Sequence, residues 1–126
     1  MGYKYKDLIV WQRSKALASE IYRITENFPN SELYGLTSQV RRAAVSVPSN
    51  IAEGQGRLTR GEFQQFLGQA RGSLLELKTQ LSIAVDLGFL DAREFAAVEP
   101  RIAEINRLLN GLLESLRNRG KSAGAG

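Results

Sequence analysis

The chain has no cysteine and no histidine among its 126 residues. Without cysteine, disulfides and thiol chemistry are excluded, and the redox compartment is left open. Without histidine, the commonest general base and the commonest transition-metal ligand are both missing. Ser46, Ser49 and Ser73 have no imidazole to activate them, and no Ser-x-x-Lys pair stands in for one. The inward Glu-x-x-His pairs of di-metal bundles are equally out of reach, so Glu53 and Glu76 are expected to pair with Arg42, Arg57 or Arg71. No cofactor and no metal are expected, and no acid–base constellation supports an enzyme. No apolar run approaches membrane-spanning length, and the start, MGYKYKDLIVWQR, is too polar for a secretory signal. A soluble cytoplasmic protein with no membrane partner is the expectation.

What the chain does have is helical periodicity and an uneven charge. The formal net charge is +4 and the pI about 9.7. Residues 1–60 hold nine Lys/Arg against five Asp/Glu, whereas residues 61–126 hold eight against eight. A basic half attracts phosphate backbones or an acidic partner, although +4 is also an ordinary charge for solubility.

A first helix is predicted from an N-cap at Asp7 to about Asn27, with Val10, Leu17, Ile21, Ile24 and Phe28 on a seam broken by polar Ser14. Pro29 and its Asn and Ser neighbours end it. A second helix starts between Glu32 and Thr37, runs to about Gly56, and should kink at Pro48, which removes the bond to the Ala44 carbonyl. Thr59 and Glu62 have capping-box spacing ahead of a third helix with Phe63, Leu67, Ala70, Leu74, Leu77, Leu81 and Ala84 inward, closed by Gly88. Asp91 caps a fourth, with Phe95, Val98, Ile102, Ile105, Leu109, Leu112 and Leu116 on its seam and a bend or interruption at Pro100. The expected fold is all-α: one antiparallel up-down-up-down four-helix bundle over residues 1–119, with a disordered Gly/Ala tail at 120–126.

The stretch Leu36 to Arg57, LTSQVRRAAVSVPSNIAEGQGR, carries two stripes. Leu36, Val40, Ala43, Val47 and Ile51 form an apolar one. Arg42, Ser46, Ser49, Asn50, Glu53 and Arg57 form a polar one about a quarter-turn away. Short hydrogen-bonding groups among arginines suit a fixed network, with Arg42, Ser46, Asn50 and Glu53 as its expected members, or an interface. The following run, Gly54 to Gly61, reads either as an anion cradle at a helix N-terminus or as a tight connection using glycine for backbone freedom. Gly68 and Gly72 stand four apart and would admit a close neighbouring helix. Trp11, Tyr3 and Tyr5 lie among Lys4, Lys6, Arg13 and Lys15, a mixture that stacks bases or packs on a neighbouring subunit.

The same residues carry a family resemblance. Asp7-Leu8, Val10-Trp11-Gln12, Tyr34-Gly35-Leu36, Arg41-Arg42-Ala43, the run SVPSNIAEG at 46–54, Gly72-Ser73-Leu74, Glu76-Leu77 and Leu87-Gly88 together resemble the bacterial four-helix-bundle proteins encoded in intervening sequences of ribosomal RNA genes. The match weakens after Asp91. The resemblance extends to accessory variability proteins of diversity-generating retroelements and implies a homo-oligomeric ring, a homopentamer, that works with RNA or a nucleic-acid-processing protein. Leu108, Leu113, Phe66 and Leu75 beside the seams suggest a second buried face for such assembly.

The expected function is a non-enzymatic oligomeric scaffold that binds RNA or another nucleic acid through backbone phosphates. Candidate contacts are Arg41, Arg42, Arg57, Arg60, Lys4, Lys6 and Arg13. The alternative is a protein–protein adaptor that docks an acidic partner on the polar stripe of the second helix.

Overall fold

The computed structural model describes residues 8–125, with side chains as far as Arg119. Four helices follow one another: α1 (Ile9–Thr25), α2 (Leu36–Gln55), α3 (Arg60–Asp86) and α4 (Ala92–Ala125), with one 3-10 turn at Asn30–Glu32. Each helix packs on its chain neighbours and α1 closes against α4, while the diagonal pairs stay apart. That is the antiparallel up-down-up-down bundle, all-α among the described residues.

The apolar periodicity builds the core. Val10, Leu17, Ile21 and Ile24 of α1 meet Val40, Ala43, Val47 and Ile51 of α2, the full expected α3 seam, and Val98, Ile102, Ile105, Leu109 and Leu116 of α4. Buried Ser14 fits the α1 seam because its hydroxyl donates to the Val10 carbonyl at 2.6 Å, which leaves no polar group unsatisfied.

The helix ends show where local chemistry acts. The expected cap Asp7 lies outside the described residues; the N-cap position of α1 falls to Leu8, which makes no side-chain cap bond. At α2 the Glu32 carboxylate reaches forward to accept from the Leu36 amide at 3.1 Å. Thr59 Oγ1 accepts from the Glu62 amide at 3.1 Å, the forward half of the capping box. Asp91 Oδ1 accepts from the Arg93 amide at 2.7 Å. Gly88, at φ 78°, closes α3 in a Schellman motif: Phe89 donates to the Ala84 carbonyl at 2.9 Å and Gly88 to Val85 at 3.0 Å.

Several expectations are corrected. Of the bend or interruption expected at Pro100, the interruption is absent: α4 is one helix through it, and α2 is one helix through Pro48, the site of the expected kink. Pro100 is exposed, so the carbonyl it leaves open at Ala96 is within reach of water. The backbone of α4 stays helical to Ala125. Within the bundle no neighbouring helix comes close to Gly68 or Gly72, since an added Cβ at either would meet nothing within 4 Å. The close approach is at Gly54. A Cβ there would stand 2.8 Å from Phe66 Cβ and 2.9 Å from Phe63 Cδ1. Of the side chains expected to form a second face, Leu108 and Leu113 pack against the core, Phe66 is half-buried, and only Leu75 is exposed.

Candidate nucleic-acid interface

The α2–α3 junction is built by a short chain reversal. The Gly56 amide donates back to the Ala52 and Glu53 carbonyls, and the Arg57 amide to Gly54 at 3.1 Å, so the chain leaves α2 in a tight turn. Leu58 stands almost wholly in solvent, and Thr59 then caps α3. Gly88 is the only described glycine with positive φ, so the junction glycines are not used for backbone freedom. Gly54 is there for the space between α2 and α3, and the expected conformational role is corrected to a steric one.

This reversal throws Arg57 and Arg60 to one side, where Arg119 arrives from the far end of α4. The three arginines line a cavity of about 300 Å³ with Gln55, Leu58, Thr59 and Leu116, and no carboxylate belongs to its wall. Arg57 is oriented by two contacts: its guanidinium lies 4.7 Å from the Phe66 ring centre and 3.7 Å from Glu53. Both ion-pair partners are substantially solvated, so Glu53 screens Arg57 only in part. Arg60 and Arg119 are exposed.

Arg119 is the residue that sequence reasoning misses. It belongs to the charge-balanced half of the chain, and nothing local marks it. The available signal is phase, since it stands three residues beyond Leu116 on the α4 seam.

The other expected basic contacts do not join this cluster. Arg41 is committed to α1: its Nε donates to Thr25 Oγ1 at 2.8 Å, its Nη2 to the Tyr22 carbonyl at 3.4 Å, and the guanidinium sits 4.7 Å from the Tyr22 ring centre. Arg42 is exposed on the same α1/α2 face. Arg13 pairs with Glu104 of α4 at 3.5 Å, on yet another face. Lys4 and Lys6, with Tyr3 and Tyr5, lie outside the described residues. The described candidates therefore lie in separate patches, because Arg13, Arg41 and Arg57 stand on different elements and meet different neighbours.

The polar network is also smaller than expected. Asn50 Nδ2 donates to the Ser46 carbonyl at 2.8 Å and to its Oγ at 2.9 Å, and Ser46 Oγ lies 2.9 Å from Ser73 Oγ of α3. It thus runs Asn50–Ser46–Ser73. Glu53 turns one helical turn onward to Arg57 rather than back to Asn50, and Arg42 faces α1. Neither is a member. Glu76 is exposed, and Arg71 donates to Asn110 Oδ1 of α4 at 2.9 Å instead of to a carboxylate. Among the described residues no group of three acids gathers to hold a metal ion, and no helix is long and apolar enough to cross a membrane.

Residues 6–111 match the family described as 23S rRNA-intervening sequence protein. The chain belongs to that family. In three dimensions it is similar to a protein of unknown function from the S23 ribosomal protein family of Bacteroides thetaiotaomicron VPI-5482. The two superpose with a TM-score of 0.79 at 20% identity, over 89% of this chain and 99% of that one. At that identity the likeness speaks for the four-helix fold alone. No curated protein sequence matches the chain.

Proposed function

We propose that this member of the 23S rRNA-intervening sequence protein family is a non-enzymatic scaffold that assembles with its own copies and holds RNA by its backbone phosphates. The observation that carries the reading is the convergence of Arg57 from the α2–α3 turn, Arg60 from the start of α3 and Arg119 from the far end of α4 on one cavity with no carboxylate in its wall. Arginine forks suit phosphate oxygens and read no base edges, so binding is electrostatic and nearly indifferent to sequence. Three arginines make a weak site. A homo-oligomeric ring, a pentamer in the reading drawn from the family resemblance, repeats it around an axis and supplies avidity. Leu75, Ile83 and Leu87, exposed on and just beyond α3, support a contact between copies.

A salt titration of RNA binding tests the reading. For single-stranded RNA the log–log slope is expected near −0.7 per phosphate neutralised, hence about −2 for each fully engaged protomer. Arg57→Ala with Arg60→Ala flattens the slope, as does Arg119→Ala, while the bundle stays folded. No RNA binding at ~50 mM salt, where electrostatic attachment is strong, overturns it.

A further inference from the structure

The α1/α2 face, remote from the arginine junction, carries a groove. It consists of two cavities of about 620 and 480 Å³ that share Tyr22 and Val45. Tyr22, Leu33 and Val45 keep 44%, 47% and 41% of their surface exposed, an unusual amount of apolar surface to leave facing solvent in one place. From Thr37 to Pro48 on α2 the groove runs about 17 Å, the length of three helical turns.

Its charge has one sign. Lys15, Arg41 and Arg42 are among the lining residues and no Asp or Glu is. Of the acids on α1 and in the turn before α2, Glu20 pairs with Arg23, Glu32 accepts from the Leu36 amide, and exposed Glu26 lies outside the lining. Two of the cations are held in place. Arg41 is tied to Thr25 and Tyr22, and Lys15 Nζ lies 5.4 Å from the Trp11 ring centre. Fixed cations lose little entropy when a partner arrives. In the wall, Thr37 is 3% exposed and its hydroxyl has no hydrogen-bond partner.

We propose that this groove docks an acidic amphipathic helix of a partner protein. Apolar side chains of that helix would cover Tyr22, Leu33 and Val45, and carboxylates on its flanks would meet Lys15, Arg41 and Arg42. A second copy of this chain is the rival occupant. Its own exposed apolar stripe, around Leu75 and Ile83, is flanked by Lys78 as well as by Glu76 and Asp86, so it offers mixed charge to a groove of one sign.

The test uses a fluorescein-labelled helical peptide of about 15 residues, with leucines at three-four spacing and glutamates on both flanks, and a counterpart with lysines for glutamates. Fluorescence anisotropy at ~50 mM salt is expected to show the acidic peptide binding at least about tenfold tighter than the lysine one. Val45→Glu and Arg42→Glu each weaken it by about tenfold, whereas Arg107→Glu, the same charge change at an exposed position of α4, leaves it unchanged. All three substituted positions are exposed, and circular dichroism checks that the variants fold. Equal binding of the two peptides, no binding, or wild-type affinity in Val45→Glu overturns the proposal. So does dissociation of an assembled form by Val45→Glu, which assigns the groove to a second copy, or displacement of the peptide by single-stranded RNA. Val45→Glu retains RNA binding through the arginine junction, so failure here is distinguishable from failure of the RNA reading.

Discussion

Replacing Gly54 with Ala adds one methyl group at the tightest point between α2 and α3. The new Cβ would lie 2.8 Å from Phe66 Cβ and 2.9 Å from Phe63 Cδ1, with the Phe63 carbonyl at 3.4 Å. Phe66 Cβ is fixed to the α3 backbone, so relief requires the two helices to separate rather than a side chain to rotate. Overpacking of this kind costs about 1–3 kcal/mol, and the rigid obstacle places the cost toward the upper end. Alanine regains at most about 1 kcal/mol of helix propensity. The net expectation is a loss of about 1–2 kcal/mol, or a Tm lower by about 3–10 °C for a domain of this size. Gly72→Ala is the matched control. It lies in α3 with nothing within 4 Å of the added carbon, so propensity acts alone and stability rises by about 1 kcal/mol. Thermal and urea denaturation of both variants, read by circular dichroism, checks the pair. Gly54→Ala as stable as wild type would refute the steric account and return the glycine to a conformational or ligand-binding role.

Asn50→Ala removes both bonds to Ser46 and is expected to cost about 1 kcal/mol, whereas Glu53→Ala, losing only a solvated ion pair, should change stability by less than about 0.5 kcal/mol; urea midpoints separate them. Thr59→Ala deletes the α3 cap and should cost about 1 kcal/mol, with Thr59→Ser restoring most of it in the same assay. Gly88→Ala places a Cβ on a residue at φ 78° and is expected to lose about 1 kcal/mol or more by thermal melting, although the space around it is open.

Much of the bundle was legible in the chain because helical periodicity is local. Phe63 to Ala84 and Val98 to Leu116 repeat at three-four spacing, and such a stripe has few ways to be buried other than against similar stripes. The caps at Thr59 and Asp91 and the stop at Gly88 were equally legible, since each depends on a few consecutive residues. The candidate site was legible only in half. Arg57 and Arg60 sit together in sequence, but Arg119 reaches them only because α4 returns antiparallel alongside the junction, and no local pattern encodes that meeting. The same holds for the closeness of α2 and α3 at Gly54, for the commitment of Arg41 to Thr25, and for the gathering of Lys15, Tyr22, Val45 and Arg42 on one groove. Periodicity sets which face of a helix turns inward. Which outward residues of different helices become neighbours depends on the axial offset and rotation of whole helices, and that is decided by packing across the bundle.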